Sequence, residues 1–129
     1  MTRAKILTIT VGVLLTGVAL MLLWRGYFGP PVITVVNDSG SRITSLVLEG
    51  NGFSVVLPDM APGRSETAIV HPSGESGLKV SLQLEERIVS KDDLTYIEPA
   101  GGYTAIVTVH KGGQIDCLSG FGFSWSRAI

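Results

Sequence analysis

The chain has one cysteine, Cys117, so an internal disulfide is excluded and the fold must stand on a hydrophobic core. That thiol lies far from the N-terminus, which argues against a lipid-modified N-terminal cysteine. Also missing are a Gly-x-Ser-x-Gly elbow, an EF-hand loop, a repeat period and a basic stripe. Residues 30–129 carry seven Lys/Arg against eleven Asp/Glu, a net charge of −4. Such a segment is a poor match for nucleic acid and is mildly repelled by an acidic membrane surface.

Charge is absent over one long stretch, the nineteen residues Ile6–Trp24 (ILTITVGVLLTGVALMLLW). As a helix this run spans roughly 28 Å, close to the hydrocarbon thickness of a bilayer. The expected organisation is a cytoplasmic N-terminus at 1–5, a transmembrane anchor at 6–24, a linker at 25–31 and an extracytoplasmic domain at 32–129. Arg3, Lys5 and the α-amine precede the run and only Arg25 closely follows it, which favours the N-terminus inside and the domain exported. Trp24, Tyr27 and Phe28 fall where amphipathic rings favour the headgroups.

A cleaved signal peptide is the competing reading, with Gly17-Val18-Ala19 as a small-x-small site. Cleavage there would leave Leu20-Met21-Leu22-Leu23-Trp24 at the new terminus, which is still lipid-loving, so an uncleaved anchor is expected. The early Glu of pilin-like helices is absent. Thr8, Gly12 and Thr16 recur every fourth residue, a small-residue face on which two such helices could pair into a homo-oligomer.

Beyond residue 31 the pattern is β throughout. Candidate strands are 32–36, 43–49, 53–57, 65–70, 78–84, 87–89, 94–97, 103–109 and 114–125, separated by Gly-, Pro- and Asn-rich turns. About seven to nine short strands at this spacing predict a small all-β sandwich, Greek-key or immunoglobulin-like. Leu78, Val80, Leu82 and Leu84 alternate with polar residues, which marks a half-buried strand.

The last hairpin fixes its own register. A three-residue loop, Lys111-Gly112-Gly113, pairs Val109 with Ile115, Val107 with Cys117 and Tyr103 with Phe121, so the apolar sets coincide. One residue more or fewer would oppose apolar to polar positions throughout. The same register places Ile106 beside Leu118 on the opposite, nominally wet face. A loop of the same domain or a partner chain is expected to cover them.

Candidate chemistry is thin. Cys117, on the apolar face, reads as a buried inert thiol rather than a nucleophile or an intermolecular disulfide. Met60, His71, His110 and Cys117 are conceivable copper or zinc ligands, but no two have metal-ligand spacing. Glu85-Glu86, Asp92-Asp93 and Glu98 read as a solvated edge that discourages aggregation. Asn37-Asp38-Ser39 matches a glycosylation sequon and reads first as an Asx turn in a hairpin. In Gly120-Phe121-Gly122-Phe123-Ser124-Trp125 three aromatics at period two predict a last core strand, or an aromatic platform for a partner or sugar.

These features lead to the expectation of a non-enzymatic, membrane-anchored interaction or assembly module of a bacterial-type envelope. It would need no cofactor, and its candidate surface is Ile106, Leu118, Phe121, Phe123 and Trp125. A small ligand or metal carrier held at the membrane is the alternative.

Overall fold

The computed structural model describes all residues, 1–129. Helix α1 runs from Arg3 to Phe28, and the Thr2 hydroxyl accepts from the Lys5 amide at its start. No part of its most apolar window is buried, and it is long and apolar enough to cross a membrane. A helix that is apolar all round, with no protein packed on it, matches a lipid solvent better than water. Thr8, Thr10 and Thr16 each donate to a carbonyl four residues back at 2.9 Å, so their hydroxyls need no partner outside the helix.

The expected linker at 25–31 is mostly helix. Only Gly29, Pro30 and Pro31 separate α1 from the first strand. Gly26 and the Pro pair suggested an earlier stop, because glycine is a poor helix former. Tertiary packing decides otherwise: the Phe123 ring lies where a Cβ on Gly26 would be.

The remainder is mostly β-sheet. The strands are β1 (Val32–Asp38), β2 (Ile43–Gly50), β3 (Phe53–Leu57), β4 (Ser65–Ile69), β5 (Ser76–Gly77), β6 (Lys79–Leu84), β7 (Arg87–Lys91), β8 (Tyr96–Ile97), β9 (Tyr103–His110) and β10 (Ile115–Phe121), followed by a helical turn α2 (Trp125–Ala128). One sheet has the order β10-β9-β1-β4 and the other β3-β2-β6-β7, while β5 and β8 form a small ribbon. Every pair is antiparallel except β1 with β9.

Both four-stranded sheets contribute to one core of seventeen buried residues, including Ile33, Val35, Leu46, Leu48, Val80, Leu82, Val107 and Val109. Each such side chain contributes about 1.5–3 kcal/mol of burial free energy. Leu78, Val80, Leu82 and Leu84 are all buried, as their alternation predicts. The last hairpin has the expected register, with Val109 opposite Ile115, Val107 opposite Cys117 and Tyr103 opposite Phe121. Its loop at Lys111–Gly113 holds Gly112 at φ +84 and Gly113 at φ +87, left-handed values that favour glycine.

Two further expectations fail. The last strand stops at Phe121, and Trp125 opens α2, so the three aromatics do not line one strand face. The segment instead turns back onto α1, where the Ser124 amide donates to the Gly26 carbonyl at 2.9 Å. Asn37 does form an Asx turn, accepting from the Ser39 amide at 3.1 Å, but β1 and β2 belong to different sheets and make a corner rather than a hairpin. The Asn37 side chain is fully buried, accepts also from the Ser39 hydroxyl, and donates to the carbonyls of Ser41 and Met60. No free amide remains for a glycan. Asn37→Ala would leave several of these groups unpaired and is expected to cost about 2–4 kcal/mol, read as a lower denaturant midpoint with an unchanged m-value.

Candidate functional site

Two regions concentrate features that the core does not explain. The first is the junction between α1 and the β domain. A helix leaves its last carbonyls without intrahelical donors. Here the domain supplies them: Gly26 accepts from Ser124, and Phe28 from Gly101 at 3.2 Å. Gly102 donates to the Gly29 carbonyl just beyond the helix, also at 3.2 Å. Arg127 completes the closure, with Nη1 donating to the Gly26 carbonyl at 3.0 Å and Nη2 to the Tyr103 carbonyl at 3.2 Å. Its residue is almost wholly buried, forms no salt bridge, and leaves Nε without a hydrogen-bond partner. Burial pulls the guanidinium below its ordinary pKa, yet an arginine remains charged. The negative end of the α1 dipole offsets part of that buried charge.

Aromatic rings gather around the same helix end. Trp24 stacks near Phe28 with centroids 4.6 Å apart, Tyr27 meets Phe123 at 5.3 Å, and Phe123 meets Trp125 at 4.9 Å. Phe123 and Trp125 therefore belong to this collar, and Phe123 also lines the groove that holds Ile106 and Leu118. Sequence spacing suggested a platform because Gly-Phe-Gly-Phe imitates strand alternation; the contact to Gly26, about a hundred residues away, carries no local signal.

The second region is the outer face of the β10-β9-β1-β4 sheet. Leu118 pairs with Ile106, Ile106 with Thr34 and Thr34 with Thr67, so one row crosses all four strands. No charged side chain stands in it. Neither the same-domain loop nor any other segment covers the expected pair: Leu118 is 74% exposed and Ile106 46%. A shallow groove of about 410 Å³ runs along this row to Ser124 and Ser126. Phe121, 71% exposed, ends β10 with the parity of Ile115 and Cys117, so it faces away from this row and packs on Tyr103 at 4.5 Å. The far end of the face is polar, where His110 Nε2 lies 2.8 Å from Asp116 and Nδ1 3.7 Å from Asp38.

The remaining candidates are dispersed. Met60 is buried in the core beside Ile43, His71 is exposed, His110 faces outward, and Cys117 packs half-buried against the inner face. No group of three or more His, Cys, Asp or Glu side chains converges on a point. Glu85 and Glu86 form the two-residue turn between β6 and β7, with φ values of +49 and +65. Asp92 instead lines an open polar cleft of about 470 Å³ with Glu49, Glu75, Ser76 and Lys79. The Ser76 hydroxyl there is committed, accepting from the Asn51 amide and donating to the Gly77 carbonyl. Gly12 and Thr16 line one open groove on α1 and Thr8 another nearer its start, and nothing lies within 4 Å of a Cβ built on Gly12.

The molecule is thus a β-rich domain fused tightly to one helix of membrane-spanning length. The NMR structure of a protein from Eubacterium rectale is similar to it, with a TM-score of 0.52 over 77% of this chain and 93% of that one, at 7% identity. At that identity the likeness is one of fold alone. No protein-family model matches the chain, and no curated protein is similar to it.

Two measurements check this geometry. Gly102 sits at φ +74, and a Cβ there would collide with the Tyr27 carbonyl oxygen. Gly102→Ala should therefore undock the helix end, accelerating amide exchange at Gly101 and Ser124 by about ten-fold while Val107 stays protected. Burial pushes the Cys117 thiol above its ordinary pKa, which lowers the thiolate fraction at neutral pH. Alkylation of folded protein at pH 7.5 should run about ten-fold slower than that of an unfolded control, and its rate should still be rising with pH where the control has levelled off.

Proposed function

We propose that this chain is a single-pass, membrane-anchored interaction module of a bacterial-type envelope, non-enzymatic, with its β domain on the extracytoplasmic side of the inner membrane. The observation that carries the reading is the uncovered, charge-free row Leu118–Ile106–Thr34–Thr67. The centres of protein interfaces are depleted in charge and enriched in apolar groups, and this face presents Leu118 and Ile106 uncovered in a row without charge. Arg3 and Lys5 before the helix favour the cytoplasmic N-terminus. Two sheets closing on one core support a sandwich of Greek-key or immunoglobulin-like type.

The occupant is a protein chain laid along β10. This strand is the edge of its sheet, and Lys91 from β7 engages only its first carbonyl, that of Ile115, at 3.0 Å. The β7 edge of the other sheet carries Arg87 and Lys91, charges that discourage pairing, whereas β10 has only Asp116. An extended partner added there would gain main-chain hydrogen bonds and rest its side chains on Leu118 and Ile106.

A photo-crosslinking residue at position 118, in the full chain in intact membranes, should give a discrete adduct identifiable by mass as one protein. The same probe at Gln83, exposed on the other sheet, should not. Ile106→Asp should weaken the adduct about ten-fold or more. An equal background from both positions, unchanged by Ile106→Asp, would remove the proposed surface.

A further inference from the structure

Beside the Arg127 closure lies a recess of about 300 Å³ that shares only Ser126 with the groove along the interaction surface. Its wall includes Arg25 from the last turn of α1, His71 after β4, and Ser126 and Arg127 from α2, with Ile69 and Ile129 as its apolar lining. It contains no acidic side chain, and neither arginine forms a salt bridge. Positive charge is therefore concentrated at one point of a domain whose overall charge is negative. Arg127 is the buried member and has no carboxylate beside it, whereas buried cations are ordinarily paired. Both Arg127 Nη atoms are engaged by backbone carbonyls and its Nε is enclosed, so this residue acts on the recess through its charge, and the free guanidinium is that of Arg25.

We propose that this recess binds a phosphate-bearing anion, with Arg25 and Arg127 supplying charge and His71 and Ser126 hydrogen-bonding groups. Guanidinium groups bind phosphate oxygens through paired, charge-assisted hydrogen bonds, and the Ile69 and Ile129 side chains suit an ester carbon attached to that phosphate. A phospholipid headgroup and free phosphate share this chemistry. The lipid source rests on the membrane placement of α1, which would put Arg25 and the Trp24–Phe28 rings at headgroup depth; the site itself does not.

Native mass spectrometry of the full chain in mild detergent tests the site with an equimolar mixture of phosphatidylglycerol and phosphatidylcholine. The wild type should retain phosphatidylglycerol about five-fold or more over phosphatidylcholine. Arg25 and His71 are both exposed, so Arg25→Gln with His71→Gln should leave the fold intact and bring the ratio near one. Arg3→Gln, at the other end of the helix, should leave the preference unchanged. A second arm adds inorganic phosphate to lipid-free protein and follows the thermal midpoint. A phosphate-dependent rise that the double variant loses, without a lipid preference, assigns the same site a soluble ligand. Equal retention of both lipids with no response to phosphate overturns the proposal. So does a loss of preference as large in Arg3→Gln as in the double variant, because that would mark diffuse attraction.

Discussion

The end of α1 is the constraint on which the arrangement depends. An apolar helix that stops against a folded domain has carbonyls that neither lipid nor core can satisfy, and each one left bare costs several kcal/mol in an apolar setting. The chain meets this requirement with backbone from two distant places, Gly101-Gly102 before β9 and Ser124 after β10, together with the Arg127 guanidinium. Close approach is what makes those bonds reachable. Gly26 admits the Phe123 ring, and Gly102 comes up against the Tyr27 carbonyl in a left-handed conformation. Side chains at either position would push the helix away and break several bonds together.

The same closure determines how the domain is carried. With only Gly29, Pro30 and Pro31 between helix and strand, and with hydrogen bonds on both sides of them, the β domain has little freedom to swing. β1 starts immediately and sits in the middle of its sheet, parallel to β9 and antiparallel to β4. The orientation of α1 is thereby transmitted to the face that bears Ile106 and Leu118. In the membrane reading, that face would keep a defined angle to the bilayer instead of sampling all directions on a flexible tether.

What could be read in the sequence followed from local rules. Nineteen uncharged residues announce a helix of bilayer length, and alternation at Leu78–Leu84 announces a half-buried strand. The three-residue loop at Lys111–Gly113 fixed a whole hairpin, because a single step would have turned every side chain over. What escaped was non-local. Nothing near Arg25–Phe28 shows that Ser124 and Arg127 will hold it helical, and nothing near Phe121–Trp125 shows that the strand will be abandoned for that purpose. The pairing of Ile106 with Leu118 was visible, since it follows from register; the absence of a cover over them was not, since that depends on the path of every other loop.

An exposed Leu–Ile pair beside an open strand edge is ordinarily a hazard, because edges template further pairing. The chain tolerates it while guarding β7 with Arg87 and Lys91, so the two edges are treated differently within one molecule. Neutral Thr34 and Thr67, hydrogen-bonded to each other at 3.0 Å, extend the row without the repulsion that a charge would supply. On the proposed function, attachment to a bilayer would make such a face tolerable. Tethered domains would meet in two dimensions and in one orientation, so an edge that would recruit any collision partner in solution would be offered only to neighbours that present a strand at the right height and angle. On that proposal the rigid junction and the open edge would act as one device, because a stiff mount is what would allow a sticky surface to be selective.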